Sequence, residues 1–196
     1  MSPAENMSEY LKPSTYCKSD DPEIKQLALK ITRNKKNDKE KAKALFEWVR
    51  DKIEYRITKI VGAKKILKRN PKYGSSFDKT NLLIALCRSI GIPARYVLLN
   101  CDIKVKKPNV PTRALHYVAE IFVNNRWVIA DPTFSKSISS VVDISEWGKP
   151  TWSRVYKIEK TASLSKFKIM LMNFIMPFIP SVKKIYKAIE ESRVSR

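Results

Sequence analysis

The first fifty residues alternate between polar turns and segments in which apolar side chains recur every three or four positions. Two such segments predict helices. One begins at Asp21-Pro22, and the other begins at Asp38, which is expected to cap it. The polar run 33–37 between them predicts a turn. The apolar stripes are formed by Ile24, Leu27, Ala28 and Ile31 in the first helix and by Ala42, Leu45, Phe46, Val49 and Ile53 in the second.

A third apolar stripe, closed by a glycine, predicts a helix that leads into a strand. Gly91 follows the stripe and ends the helix, and residues 94–99 then have the composition of a strand. A proline-rich loop at 106–111 precedes a hairpin, and residues 154–159 are a further candidate strand. This order, with N-terminal helices followed by an antiparallel sheet, predicts an α+β fold. The stripe consists of Leu82, Leu83, Leu86 and Ile90.

The segment 116–132 predicts a β-hairpin that brings the only histidine close to an aspartate. A two-residue turn at Asn124-Asn125 places Asp131 opposite Val118 and on the same pleat face as His116. Such diagonal neighbours are roughly 7–8 Å apart, within reach of an imidazole and a carboxylate. An aspartate that orients one ring nitrogen and leaves the other free is typical of a nucleophilic triad. The alternative is a surface histidine beside a turn that ends a strand.

A serine stands at the predicted start of the third helix. Gly74 permits a tight turn, so Ser76 is expected where free backbone N–H groups and the helix dipole favour a developing negative charge. Cys87 lies roughly 16 Å further along the helix and is predicted to be a buried structural thiol. Cys17 and Cys101 bring the cysteines to an odd number, which argues against a disulfide framework. With one histidine and no C-x-x-C motif, we expect neither a metal site nor a cofactor.

Three blocks of the sequence resemble the transglutaminase-like cysteine-peptidase core, in the family's order. They are the nucleophile block at 74–97, which reads G-x-S-x-D-K and later G-I-P-A-R-Y-V, the block that starts at His116, and the W-x-x-x-D block that ends at Asp131. Further segments resemble the archaeal branch that contains the pseudomurein endoisopeptidases of methanogens and their viruses. These include Tyr10-Leu11-Lys12-Pro13-Ser14, Asp21-Pro22, residues 44–55 and Gly62-Ala63. The resemblance covers roughly residues 8–135. It implies a papain-like core and hydrolysis of an isopeptide bond in a cell-wall peptide.

The resemblance also implies roles for individual residues, with one departure. The family carries cysteine where this chain has Ser76; His116 would be the general base and then acid, and Asp131 would orient it. The backbone N–H of Ser76 would donate to the oxyanion, and Tyr55 is a candidate for the second donor. A thiol can be held as a thiolate, whereas a serine hydroxyl cannot be ionised in that way.

Three accounts of Ser76 remain open: an engineered substitution that silences a cysteine enzyme, a natural serine nucleophile, or the mark of a pseudoenzyme. Transfer of the acyl group to an amine instead of water follows the same chemistry and stays open as well.

The net charge of +20 is concentrated in the middle of the chain. Residues 51–113 contain 15 Lys and Arg against 4 Asp and Glu, whereas residues 114–160 contain 6 against 5. The basic block flanks Ser76 and predicts an anionic partner, for which the resemblance suggests a carboxylate-bearing wall polymer. Nucleic acid is the rival partner, because four cations lie close together there. They are Lys64, Lys65, Lys68 and Arg69. A generally basic proteome is the third explanation, and a non-catalytic module that binds an anionic partner is the alternative function.

The composition changes after residue 160, which predicts a transglutaminase-like domain over residues 1–160 and a C-terminal helical tail over residues 161–196. The apolar run 169–180 is bracketed by lysines and is shorter than the roughly 20 residues that span a bilayer. Two interpretations remain: a helical pair packed on the domain, or an interfacial membrane contact through residues 166–187. A second helix in the tail would present one apolar face, formed by Val182, Ile185, Tyr186 and Ile189.

The length of 196 residues suits one catalytic domain, and we expect a monomer. The segment Met1–Asn6 has neither a basic end nor an apolar core, so no secretory signal peptide is predicted. A cytoplasmic location is therefore expected, with release by lysis or attachment of the tail to a membrane as the routes to another site.

Overall fold

Local sequence signals determine where the first helices begin. The computed structural model describes residues 6–175 and 178–194; residues 1–5 at the start, 176–177 within the apolar run and 195–196 lie outside the described residues. Helix α1 (Pro22–Thr32) is capped by Asp21, which accepts a hydrogen bond from the Glu23 N–H. Helix α2 (Asp38–Lys52) is capped by Asn37, so the prediction of Asp38 as the cap was wrong. Asn37 has the extended backbone of a cap and accepts from the Glu40 N–H, whereas Asp38 is already helical.

Short elements follow α2 and lead into the central helix. Strand β1 (Glu54–Tyr55) pairs in parallel with β2 (Tyr73–Gly74), and helix α3 (Ala63–Leu67) lies between them in sequence. Helix α4 (Ser76–Ser89) then begins, as predicted, at Ser76, with Ser75 as the cap between it and Gly74. Every residue from 77 to 88 is buried, because α4 packs against α1, α2 and α3 on one side and the main sheet on the other.

The main sheet has four antiparallel strands, in the spatial order β5 (Arg126–Ala130), β4 (Arg113–Val123), β3 (Ala94–Ile103) and β6 (Trp152–Thr161). Strands β3 and β6 are both longer than predicted. Strand β3 continues because Cys101 and Ile103 keep alternate side chains buried beyond residue 99. Together with the N-terminal helices, this sheet confirms the predicted α+β fold.

The predicted hairpin is confirmed. It consists of β4 (Arg113–Val123) and β5 (Arg126–Ala130). Asn124 and Asn125 have positive φ angles of 52° and 58°, as a two-residue hairpin turn requires. The register pairs Ala119 with Ala130, so the next residue, Asp131, emerges opposite Val118.

The tail folds into helices α5 (Lys166–Ile175) and α6 (Pro180–Val194), which pack on the domain. Ile169 and Ile189 are almost completely buried. On the predicted apolar face of α6, Ile189 is buried, whereas Tyr186 stays 45% exposed. Within the described residues, no helix is both long and apolar enough to cross a bilayer. Whether residues 1–160 fold without the tail stays a prediction.

Candidate active site

The end of the hairpin brings His116 and Asp131 into direct contact. The Nε2 atom of His116 lies 2.7 Å from Oδ2 of Asp131. Asp131 is fully buried and also accepts hydrogen bonds from the Thr151 hydroxyl and, at 3.0 Å, from the Thr133 N–H. Burial alone would raise the pKa of Asp131, but the charge and hydrogen bond of His116, with the two threonine donors, bring it below its ordinary value. The carboxylate therefore stays ionised and holds the histidine ring by Nε2.

Aromatic side chains fix the plane of the His116 ring. Phe134 stacks on it with 5.5 Å between ring centroids, and Trp152 meets it edge-on at 6.2 Å. The His116 residue is only 3% exposed. In the described part of the chain no hydrogen-bonding partner engages Nδ1, so this nitrogen is the one available to act as a base.

Ser76 is the first residue of α4, held there by a capping box. The Ser75 side chain accepts from the Asp78 N–H, and the Asp78 carboxylate accepts in return from the Ser75 N–H. A glycine is required just before, because a Cβ atom on Gly74 would lie 2.8 Å from the Cβ of Asp78. The N–H of Ser76 has no partner inside the helix and is free to donate to a negative charge. The predicted position of Ser76 at the helix N-terminus is confirmed.

One hydrogen bond holds the start of α4 against the strand that carries His116. The Thr80 hydroxyl, one helical turn after Ser76, donates to the Tyr117 carbonyl at 2.9 Å. Leu115, on the other side of His116 in sequence, lines the same cavity as Ser76. Across the described residues, no hydrogen bond joins the Ser76 hydroxyl to the His116 ring. Catalytic hydrogen bonds of this kind often form only when substrate is bound.

A cavity of about 260 Å³ opens beside Ser76 and has mostly apolar walls. The domain contributes Tyr55 and Leu115, and the tail contributes Ile179, Val182 and Ile185. A hydrogen bond of 2.7 Å from Arg193 to the Tyr55 carbonyl anchors the end of α6 to β1. The sequence did not indicate that the tail reaches the candidate nucleophile.

Tyr55 is one of the residues that line this cavity. In the β1–β2 ladder Tyr55 pairs with Gly74, which lies two positions before Ser76. The Tyr55 ring packs edge-on against Phe134. Burial, and to a smaller extent the negative charge of Asp131, raises the pKa of Tyr55, so the phenol stays protonated. Its hydroxyl makes no hydrogen bond within residues 6–175 and 178–194. Tyr55 is therefore a neutral donor without a partner in the described structure, and its role as the second oxyanion donor stays a prediction.

Sequence reasoning assigned no role to Lys79, three residues after the candidate nucleophile. Its Nζ is buried and donates to the carbonyls of Ile53, at 2.6 Å, and Arg50, at 3.1 Å. These carbonyls end α2, where a cation complements the helix dipole. Burial lowers the pKa of Lys79 to about 7, although the charges of Asp131 and Asp51 oppose the shift. The only feature of the sequence that pointed to Lys79 was its place in the D-K pair of the nucleophile block.

The remaining cysteines provide no second nucleophile in the described structure. Cys17, Cys87 and Cys101 are all unpaired and buried, which confirms the prediction for Cys87. Burial raises the pKa of each of the three thiols. These groups are therefore thiols at neutral pH and poor nucleophiles.

Comparison with known families agrees with this geometry. The sequence model of the transglutaminase-like superfamily matches residues 25–132, more than half of the chain. The chain belongs to the transglutaminase-like superfamily. The matched region contains Ser76, His116 and Asp131. Helices α5 and α6 lie beyond it.

Two solved structures are similar to this superfamily member. One is "a Putative Cysteine Protease from Cytophaga hutchinsonii", with 26% sequence identity and a TM-score of 0.55. The match covers 82% of this chain and 54% of that one, so this chain spans about half the length of its relative. The other is "a Putative Protease from Parabacteroides distasonis", with 13% identity, a TM-score of 0.43 and coverage of 76% and 29%. No protein of curated function matches the sequence.

Proposed function

We propose that the protein is a peptidase-type hydrolase that cleaves an amide or isopeptide bond by acyl transfer to Ser76. The observation that carries the proposal is the buried His116–Asp131 pair, whose free Nδ1 belongs to a strand held against the start of α4. Membership of the superfamily and the similarity to the Cytophaga hutchinsonii structure support a peptidase-type activity.

In the proposed first step, Ser76 Oγ attacks the substrate carbonyl while Nδ1 of His116 accepts the hydroxyl proton. The oxyanion then receives hydrogen bonds from the Ser76 N–H and the Tyr55 hydroxyl. Asp131 stabilises the imidazolium through Nε2, and His116 passes the proton to the leaving amine. In the second step, water attacks the acyl ester with His116 as base, which releases the acid and regenerates Ser76.

The serine at position 76 determines how fast this chemistry runs. The resemblance to the family implies a cysteine there, which a histidine and a helix N-terminus can hold as thiolate. Serine has no such route and depends on general-base catalysis alone. We infer that Ser76→Cys increases activity, whether the serine is natural or engineered.

The proposed substrate is the peptide of an archaeal wall polymer such as pseudomurein, with an isopeptide bond at a lysine side chain. The resemblance of the N-terminal segments and the basic block around Ser76 support this class. Nucleic acid gains less support, because two of the four clustered cations are engaged within the protein. Lys64 pairs with Asp21 at 2.6 Å, and Arg69 donates to the Tyr73 carbonyl at 2.6 Å.

The test compares the wild type, Ser76→Cys and Ser76→Ala on peptides that carry a lysine isopeptide bond. Ser76→Cys should hydrolyse them fastest and should lose activity on thiol alkylation, because the other three cysteines are buried. Adding His116→Ala to Ser76→Cys should abolish the gain. If Ser76→Cys hydrolyses none of the wall peptides faster than Ser76→Ala does, the protein is a binding module and the hydrolase proposal is wrong.

A further inference from the structure

Helix α5 and Phe178, which follows it in the chain, expose large apolar side chains. We define the outer stripe as six residues whose exposed fractions lie between 43% and 72%. Two of their rings, those of Phe174 and Phe178, lie against each other with centroids 6.2 Å apart. The outer stripe consists of Phe167, Met170, Leu171, Phe174, Ile175 and Phe178.

Helix α5 already packs its opposite face against the domain, so the residues of the outer stripe are not the ones that attach the helix to the core. Ile169 is fully buried, the Met172 sulfur accepts a hydrogen bond from Tyr117, and Asn173 exchanges two hydrogen bonds with the Ile60 backbone. The exposed residues recur at the three- and four-residue spacing of a second helix face. A surface helix normally carries polar residues on that face, so a contiguous apolar stripe indicates an interaction surface.

Charge identifies the kind of partner. The segment 160–189 contains six lysines and no acidic residue, and three of the lysines, Lys160, Lys168 and Lys187, pair with glutamates outside it. The other three, Lys166, Lys183 and Lys184, are exposed and flank the outer stripe in sequence. A second copy of the chain would place lysines against lysines on a protein whose net charge is already +20. An anionic lipid surface instead offers an apolar layer for the phenylalanines and phosphates for the lysines.

We propose that the outer stripe and its flanking lysines form a docking surface for an anionic lipid bilayer. Phe167, Phe174 and Phe178 enter the boundary between headgroups and acyl chains, and the lysines lie at the level of the lipid phosphates. Helices α5 and α6 lie on the surface and do not cross it, consistent with their length and hydropathy. The inner side of the tail lines the cavity beside Ser76, so docking keeps that cavity next to the bilayer. The proposal does not depend on whether Ser76 is catalytic.

Sedimentation of the full chain with vesicles tests the docking surface. We expect binding to phosphatidylcholine vesicles that contain about 30% phosphatidylserine, little binding to pure phosphatidylcholine, and weaker binding as salt rises from about 0.1 to 0.5 M. Phe167→Ser/Phe174→Ser should reduce the partition coefficient about tenfold or more. The matched control is Leu29→Ser/Ile158→Ser, which removes two apolar residues that are each 53% exposed elsewhere and should bind like the wild type.

A second pair of variants separates local from overall charge. Lys183→Glu/Lys184→Glu should weaken binding about tenfold or more, whereas Lys25→Glu/Lys30→Glu, with the same change in net charge, should have a smaller effect. Thermal melts establish that each variant is folded. Wild-type affinity in the phenylalanine variant, or equal losses in the two lysine pairs, would overturn the proposal. The proposal would also be overturned if the wild type does not bind vesicles and forms a dimer that becomes monomeric in the phenylalanine variant. The outer stripe would then be a contact between two chains.

Discussion

The proposed role of Tyr55 leads to a prediction in which activity and stability respond differently. Tyr55→Phe removes only the hydroxyl and leaves the ring against Phe134, which it meets at 5.6 Å between centroids. The hydroxyl has no hydrogen-bonding partner in the described structure, so its loss leaves no buried group unsatisfied. The free energy of unfolding should therefore change by less than about 1 kcal/mol.

Catalysis should respond strongly to the same substitution. Loss of one oxyanion donor reduces kcat by roughly 10²–10³, equivalent to about 3–4 kcal/mol of transition-state stabilisation. We expect a loss of this size with KM nearly unchanged, because the donor acts on the oxyanion more than on the bound substrate. The assay is steady-state hydrolysis of a lysine isopeptide substrate in the Ser76→Cys background, with urea unfolding measured in parallel.

Tyr96→Phe is the matched control, since Tyr96 is also a buried tyrosine but donates to Asn81 at 2.5 Å. This variant should lose about 1–3 kcal/mol of stability, because Asn81 keeps an unsatisfied oxygen, and should retain its activity per folded molecule. The reasoning is refuted if Tyr55→Phe keeps full kcat, or if its stability falls as far as that of Tyr96→Phe.

Three further substitutions test the groups around the site. The folded pKa of Lys79 is about 7, below its ordinary 10.5, so between these pH values the unfolded state binds more protons than the folded state. The free energy of unfolding should therefore rise with pH across this window. Lys79→Met should flatten that rise, measured by urea unfolding at several pH values. Asp131→Asn should reduce kcat by at least about a hundredfold. Because the folded pKa of Asp131 is lowered, the wild-type carboxylate stabilises the fold above about pH 3.8 and loses this effect as the pH falls further; thermal melts at acid pH should show that the variant lacks it. Gly74→Ala should cost about 1–3 kcal/mol in thermal melts and reduce activity, since its Cβ would press on Asp78 at 2.8 Å; an unchanged melt would show that the turn can relax.

The parts of the site that were predictable are those encoded by neighbouring residues. Alternation along the strands and the Asn124-Asn125 turn together fix which residues face each other, and the His116–Asp131 contact follows from that register. Gly74 and the following polar residues likewise indicate a helix start at Ser76. Asn37 was missed because Asn and Asp are equally good caps and stand next to each other there.

The parts that escaped prediction depend on contacts between distant segments. Strands β1 and β2 have two residues each, too few to show a period of two, so the pairing of Tyr55 with Gly74 left no pattern. The tail reaches the cavity through pairs such as Arg193 with the Tyr55 carbonyl, which are 138 positions apart. The apolar residues of the tail predicted helices but could not identify what the helices cover.

The cavity beside Ser76 has walls of two different origins. The residues proposed to make and break bonds lie within 25–132, the region that the superfamily shares, whereas Ile179, Val182 and Ile185 lie outside it. Substitutions in the tail can therefore change which side chain fits beside the scissile bond without altering His116 or Asp131. In evolution, substrate preference can diverge in this tail while the reaction is conserved. In engineering, exchange of α5 and α6 between related proteins is the direct way to change substrate selectivity. A fragment cut at residue 132 would lack the tail side of the cavity and would lose that selectivity.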